Sequence, residues 1–312
     1  MASLAFSQYR SEAAKNECFA WMDAQAAREW PAKSESRTVL TPWGPTFVRI
    51  SGPAHSVPLV LLPGAASSSL MWAPNIQDLS ADYRTFAVDR IGDFGRSICT
   101  RSIPRFRNLV EWFTEFLDAL GLRDPVHLVG ISYGGALAAE VALHCPARIR
   151  KLVLLAPGAT VLRSSPRLMG RLAVAIFAHK SGLNSLMRWL FADAVRQQPA
   201  WVENTLEQLN LHMRSTRRVA PMPRVWSDTE WASLRVPTLF LVGEDEKIYS
   251  PTKALRRLRR VAPQVRGEII AGAGHDFTFL AAAAVDRGIL DFLKDETPQS
   301  GTQSGIPFLS VP

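Results

Sequence analysis

Cysteine is scarce in this chain, and its few residues form none of the patterns that carry chemistry. The 312 residues include only Cys18, Cys99 and Cys145, which are odd in number and far apart in the sequence. They do not form the framework of a disulfide-rich secreted domain, and no C-x-x-C spacing offers a metal or redox site. The cysteines therefore favour a reducing compartment, and we expect neither a metal nor another cofactor.

Long apolar runs are missing as well. No apolar run approaches the ~18 residues that a membrane-spanning helix needs. The N-terminal residues lack a basic head followed by an apolar core, so we expect no secretory signal. These absences predict a soluble, cytoplasmic protein with no membrane span.

Lysine is also scarce, and arginine supplies most of the positive charge. Seven Lys and 29 Arg stand against 28 acidic residues, which gives a net charge of +8. The one dense run, Arg256–Arg260, lies on a predicted helix between Pro251 and Pro263, where we interpret it as a solvated face. No nucleic-acid motif accompanies the arginines, so we expect no nucleic-acid partner. An anionic surface is a further possible partner, supported by charge alone, and the oligomeric state is left open.

Short apolar runs alternate with helical stretches, which indicates a mostly parallel sheet flanked by helices, an α/β fold. A helix is predicted over Phe106–Leu120, and another begins near Pro251 with Ser250 as its N-cap. The predicted strands are Arg37–Leu40 as the first arm of a hairpin, Thr46–Ile50, Pro58–Leu62, Arg84–Val88, Val126–Val129, Leu152–Leu155, Pro237–Val242 and Gly267–Ile270.

The alternation breaks between about Thr160 and Leu234, where the sequence is helical and rich in Met, Trp and Phe. We interpret this region as a helical cap inserted after the sixth strand. The predicted organisation is an N-terminal helical extension at 1–36, a core at 37–159 and 235–294, the cap at 160–234 and a flexible tail at 295–312. Trp189, Trp201 and Trp226 of the cap are candidates for an apolar substrate pocket, although aromatic residues at helical spacing usually belong to the core.

A glycine-rich turn carries the strongest functional motif. Gly130-Ile131-Ser132-Tyr133-Gly134-Gly135 follows the apolar run Val126–Val129 and precedes an alanine-rich helical stretch. G-x-S-x-G between a strand and a helix is the nucleophile elbow pattern, in which a strained turn exposes a serine hydroxyl. The glycines flank the serine because the turn is too tight for side chains. Ser132 is therefore the predicted nucleophile, with a chance glycine-rich turn as the alternative.

A serine hydroxyl needs a base within hydrogen-bond reach, and that base needs a carboxylate to orient it. His275 lies in a glycine-rich loop after the last predicted strand, at the same edge of the sheet as Ser132. The turn after Pro237–Val242 offers three carboxylates in a row, Glu244, Asp245 and Glu246. Composition does not choose among them, but serine, acid and histidine in this order along the sequence is the order that accompanies a nucleophile elbow.

Two backbone N–H groups are needed to hold the oxyanion of a tetrahedral intermediate, each worth ~10²–10³ in rate. One is expected from Tyr133, directly after the serine. The other is expected from Ala65 in the loop Pro63–Ser68, where small residues let the backbone approach the substrate.

Together these motifs resemble the α/β-hydrolases, and among them the bacterial serine esterases of the carboxylesterase NP (naproxen esterase) type. The resemblance runs from about Thr38 to Leu293 and is weakest in the cap. Its motifs are Leu61–Ala65 with Met71-Trp72, Ala87–Asp93, the elbow, Gly243–Tyr249 and Ala273–His275.

The resemblance implies an α/β-hydrolase fold, and it selects the acid. The acid position, three residues after a glycine, is Glu246 here, with Asp245 as the alternative. One departure is Pro63-Gly64, where most relatives have His-Gly, but Pro63 leaves the Ala65 N–H in place.

The implied function is a serine carboxylesterase that acts on small, hydrophobic esters through an acyl-enzyme. Lactonase, thioesterase or C–C bond hydrolase activity with the same triad is the alternative. A ligand-binding protein on a hydrolase fold is the non-enzymatic alternative.

Overall fold

A mostly parallel β-sheet forms the centre of the protein. The computed structural model describes residues 6–217, 219–296 and 308–309. Over these residues the strands run in the order β1-β2-β4-β3-β5-β6-β7-β8-β9, with β2 antiparallel to β1 and β4 and all other neighbours parallel. The strands are β1 Ser34–Thr41, β2 Gly44–Ser51, β3 Pro58–Leu62, β4 Arg84–Val88, β5 Val126–Ile131, β6 Ile149–Leu155, β7 Thr238–Gly243, β8 Val265–Ile270 and β9 Phe308–Leu309.

Helices connect the strands and carry the long excursion between β6 and β7. In the described part of the chain they are α1 Glu12–Glu29, α2 Ala73–Asp82, α3 Phe106–Ala119, α4 Tyr133–His144, α5 Pro166–Phe177, α6 His179–Leu190, α7 Ala192–Gln197, α8 Pro199–Ser215, α9 Asp228–Ser233, α10 Pro251–Val261, α11 Phe277–Leu280 and α12 Ala282–Lys294. None of these helices is long and apolar enough to cross a membrane.

The core lies on both faces of the sheet, because parallel strands are covered by helices on either side. All six residues of β5 are buried, and so are all six of β7. Helix α3 places Trp112, Phe113 and Phe116 against the sheet, each fully buried. The predicted α/β fold is confirmed, and its parallel strands bring their carboxyl ends to one edge.

The sequence located eight of the nine described strands, and the few helices that it placed, to within about three residues. β3 and β4 have the predicted bounds, and α10 begins at Pro251 with the Ser250 hydroxyl accepting from Lys253 N. β6 begins three residues before the predicted start because its first residues extend beyond the buried apolar run. Residues 34–36, predicted to belong to the N-terminal extension, form the start of β1.

Helices α5 to α9 leave the sheet after β6 and return to it at β7, and we call residues 160–234 the helical insertion. Most of the tail predicted at 295–312 lies outside the described residues. Within that tail, Phe308–Leu309 forms strand β9, which pairs in parallel with Ile269 and Ile270 of β8.

Candidate active site

Ser132 occupies a strained turn between β5 and α4. Its backbone has φ 52° and ψ −114°, and a positive φ costs a non-glycine residue roughly 1–3 kcal/mol. Two hydrogen bonds hold the turn: Ser132 N donates to Leu155 O at 2.9 Å, and Gly158 N donates to Ser132 O at 2.9 Å. Neighbouring strand β6 therefore supports the geometry that presents the serine hydroxyl.

The glycines of the motif are required by close backbone contacts. A Cβ on Gly130 would lie 2.3 Å from the carbonyl oxygen of Gly134. A Cβ on Gly134 would lie 2.4 Å from the carbonyl oxygens of Leu62 and Pro63. No side chain fits at either distance, so the elbow can pack against β3 and the loop after it only with glycine at these positions.

His275 and Glu246 form a buried pair in the loops after β8 and β7. His275 Nδ1 lies 2.7 Å from Glu246 Oε2, and Glu246 Oε1 accepts from Ile248 N at 2.8 Å. Burial lowers the pKa of His275, but the Glu246 carboxylate, together with a smaller contribution from Asp276, outweighs burial and leaves that pKa raised above its ordinary value. With Nδ1–H directed to Glu246, Nε2 is the nitrogen that can accept a proton.

The other two carboxylates of the acid turn lie elsewhere. Glu244 and Asp245 are exposed, whereas Glu246 is buried. Glu244 Oε2 accepts from Gly272 N at 2.8 Å, so this side chain fastens the two loops together. Among the three candidates, the carboxylate in contact with His275 is that of Glu246.

The loop expected to bind the oxyanion is held in place on both sides of Ala65. Gly64 N donates to Met71 Sδ at 3.1 Å, and Ala66 N donates to Asp93 Oδ2 at 3.1 Å. Ala66 has φ 55°, and its carbonyl accepts from Gln208 Nε2 of α8 at 2.8 Å. The loop lies against the serine, since a Cβ on Gly64 would be 3.7 Å from Ser132 Cβ.

Tyr133, the other expected oxyanion donor, begins α4 directly after the serine. Arg90 lies over its ring at 4.0 Å from the centroid and pairs with Asp93. The Tyr133 hydroxyl donates to Pro221 O of the helical insertion at 2.5 Å. Asp93 thus connects the Ala66 backbone to the arginine that packs on Tyr133, so one buried ion pair links the two halves of the expected oxyanion site.

Phe191 is the aromatic residue of the insertion that reaches the histidine. Its ring is nearly parallel to the His275 imidazole, with centroids 6.3 Å apart and planes 10° from parallel. Trp201 packs edge-on behind Phe191 and stacks on Phe279 at 4.2 Å. Trp201, predicted to line the pocket, is therefore in a second layer, and Phe191 was not predicted as a site residue.

The other two tryptophans of the predicted pocket, Trp226 and Trp189, lie in different surroundings. Trp226 is 1% exposed, and its Nε1 donates to Glu140 Oε1 at 2.8 Å. The expectation that it lines the pocket is wrong, because its indole fills the core beside α4. Trp189 is half-buried, and with Arg171, which lies over its ring, it lines a groove of about 570 Å³ between α5 and α6. Lys247 Nζ lies 5.7 Å from the centroid of the same ring.

Comparison with known proteins agrees with this architecture. A family model described as the alpha/beta hydrolase family matches residues 59–287. The chain belongs to this family. The α/β-hydrolase fold implied by the sequence motifs is thereby confirmed.

Two relatives from Bacillus subtilis (strain 168) align with most of this α/β-hydrolase. The uncharacterized carboxylesterase nap is 34% identical over 272 residues, covering 86% of this chain and 89% of the relative. Carboxylesterase YbfK is 33% identical over 276 residues, covering 86% and 91%. The crystal structure of naproxen esterase (carboxylesterase NP) from the same species superposes with a TM-score of 0.83 at 32% identity, covering 91% of this chain and 99% of that one. The resemblance to this esterase type is confirmed.

Among the described residues, no metal site accompanies the histidine and serine. Within residues 6–217, 219–296 and 308–309, no group of three or more His, Cys, Asp or Glu side chains is arranged to hold a metal ion. What the described site offers is a strained serine, a histidine paired with a carboxylate, and backbone N–H groups in a loop held by Asp93 and Gln208.

Gln208 gives a test of how the oxyanion loop is positioned. Gln208→Leu keeps the size of the side chain but removes the donor to Ala66 O, so we expect kcat for a soluble ester to fall about tenfold with little change in KM. Glu207→Gln, at the exposed neighbouring position on α8, is the matched control and should act like wild type. Steady-state kinetics measure both parameters, and an effect of Gln208→Leu on KM alone would contradict a positioning role.

Proposed function

We propose that this α/β-hydrolase is a serine carboxylesterase that hydrolyses small, hydrophobic carboxylic esters through an acyl-enzyme. The observation that carries the proposal is the 2.7 Å pair of His275 and Glu246 at the sheet edge where the strained Ser132 elbow lies. The similarity to carboxylesterase YbfK and to naproxen esterase supports an ester as the substrate.

In the proposed mechanism, acylation begins when Ser132 Oγ attacks the ester carbonyl carbon and His275 Nε2 takes the hydroxyl proton. The N–H groups of Ala65 and Tyr133 stabilise the oxyanion of the tetrahedral intermediate. The C–O bond to the alcohol then breaks, and His275 returns the proton to the departing alkoxide. Glu246 stabilises the imidazolium throughout this step.

Deacylation repeats the same transfers with water in place of the serine. A water molecule gives a proton to His275 Nε2 and attacks the acyl carbon. Collapse of the second tetrahedral intermediate breaks the bond to Ser132 Oγ, which receives the proton from His275. The carboxylic acid leaves, and the starting state of the three side chains is restored.

The preference for hydrophobic esters is supported by the aromatic groups of the insertion. Phe191 faces His275, and Trp201 supports Phe191 from behind. An apolar acyl or alcohol group beside these rings would be removed from water, which favours binding.

The free thiols of Cys18, Cys99 and Cys145 support a reducing compartment such as the cytoplasm.

A fluorophosphonate probe tests the proposal directly, because it forms a covalent bond only with an activated nucleophile. Trypsin releases residues 124–148, a peptide in which Ser132 is the only serine. We expect hydrolysis of p-nitrophenyl esters to be lost in proportion to the label on this peptide. A label on another serine, or faster hydrolysis of lactones or acyl thioesters than of matched oxygen esters, would argue against the assignment.

A further inference from the structure

Helix α5 turns an apolar face to solvent. Phe177 is 83% exposed, Val174 60% and Met169 53%, while Leu168 and Ala175 of the same helix are buried. Three large apolar side chains exposed on a single helix of 12 residues differ from the singly scattered ones that a protein surface normally carries. We call these three exposed side chains, together with Arg167 of α5 and Lys180 at the start of α6, the α5 face.

The α5 face lies in a stretch of chain without negative charge. No Asp or Glu occurs between Glu140 and Asp193. The arginines and lysines between Thr160 and Ala192 are Arg163, Arg167, Arg171, Lys180 and Arg188, and all five are exposed. Across the described residues, no ion pair engages Arg163, Arg167 or Lys180. Apolar side chains and unneutralised cations thus share one surface.

We propose that the α5 face docks on an anionic lipid surface. Phe177, Val174 and Met169 enter the boundary between headgroups and acyl chains, while Arg167 and Lys180 reach the anionic headgroups. A helix with exposed apolar residues flanked by arginine and lysine is the type that lies in the plane of a membrane surface. The proposal is independent of the esterase assignment.

Charge and chemistry favour lipid over the other occupants of such a surface. A second copy of this chain would bring the same positive face, so two α5 faces would repel each other. A nucleic acid would use the cations but would leave Phe177 and Val174 exposed to water. An anionic bilayer satisfies both kinds of side chain at once.

Docking would also orient the groove between α5 and α6. Arg167, Arg171 and Val174 of α5 form one side of this groove, and Trp189 forms part of the other. The groove is tied to the acid turn, because Lys247 Nζ donates to Trp189 O at 2.7 Å. A protein bound through the α5 face would therefore hold this groove next to the lipid.

Co-sedimentation of the full chain with vesicles tests the proposal. We expect binding to equimolar phosphatidylglycerol and phosphatidylcholine at low salt, weaker binding at high salt and little binding to pure phosphatidylcholine. Phe177→Ser together with Val174→Ser should lower affinity for the anionic vesicles at least tenfold. Arg167→Gln together with Lys180→Gln should lower it by a similar factor and reduce its dependence on salt.

Leu40→Ser provides the matched control, since Leu40 of β1 is 79% exposed and lies outside the insertion. This variant should bind vesicles like wild type, and all variants should keep the wild-type circular dichroism spectrum and unfolding temperature, which shows that they are folded. Equal loss of binding in Leu40→Ser, or wild-type binding to pure phosphatidylcholine, overturns the proposal. So does a dimer in size-exclusion chromatography that becomes a monomer on Phe177→Ser, because the face would then join two copies.

Discussion

Replacing Ser132 by alanine is expected to lower kcat/KM for p-nitrophenyl esters by about 10⁴–10⁶-fold. In the proposed mechanism the Ser132 Oγ atom forms the acyl-enzyme, and the oxyanion donors cannot substitute for it. The residual rate would come from binding and from the N–H groups of Ala65 and Tyr133. Steady-state kinetics at a known enzyme concentration measure the change in kcat/KM.

The backbone of the elbow supplies a control that separates lost chemistry from lost folding. Ser132→Gly should be as inactive as Ser132→Ala, but it should be more stable by about 1 kcal/mol, because glycine adopts φ 52° without strain. Denaturant unfolding of both variants measures this difference. Retention of esterase activity in either variant would show that Ser132 is not the nucleophile.

Local motifs explain why so much of the site could be predicted from sequence. The elbow depends on residues within a span of six, and its glycines are required by contacts that the same turn creates. His275 could be predicted in the same way, because it lies in the glycine-rich loop directly after β8. The choice among Glu244, Asp245 and Glu246 could not be made locally, because burial and contact with His275 distinguish them, and both depend on how two loops pack.

Residues that reach the site from elsewhere in the chain could not be predicted. Phe191, in the turn between α6 and α7, and Gln208 of α8 belong to the helical insertion, and neither stands in a catalytic motif. Their contacts with His275 and Ala66 arise only when the insertion packs on the sheet. Trp226 shows the converse error, since an aromatic side chain in the insertion filled the core instead of a pocket.

The choice of acid leads to the second large effect. Glu246→Gln should lower kcat/KM by about 10³–10⁴-fold, because the amide neither fixes the tautomer of His275 nor stabilises its imidazolium. Asp245→Asn is the matched control one residue away, and its exposed side chain should make it nearly as active as wild type. If Asp245→Asn lost activity and Glu246→Gln did not, the two carboxylates would have to exchange roles.

The pH dependence distinguishes a carboxylate that acts on His275 from one that merely stabilises the fold. In the proposed mechanism His275 acts as a base only when it is neutral, so activity should rise with pH through the pKa of His275, which Glu246 raises. In Glu246→Gln that support is gone while burial still lowers the pKa, and the acidic limb of kcat/KM should therefore move to lower pH.

The free energy of unfolding that is lost in Glu246→Gln should also depend on pH. Because the folded-state pKa of His275 is raised, its stabilising contribution is fully present below the unfolded pKa and lost as pH rises through the folded pKa. Glu246→Gln should accordingly lose more unfolding free energy relative to wild type at acidic pH than at alkaline pH. A loss that is uniform across pH would mean that Glu246 supports only the loop, through the Ile248 N–H, and that another group controls the histidine.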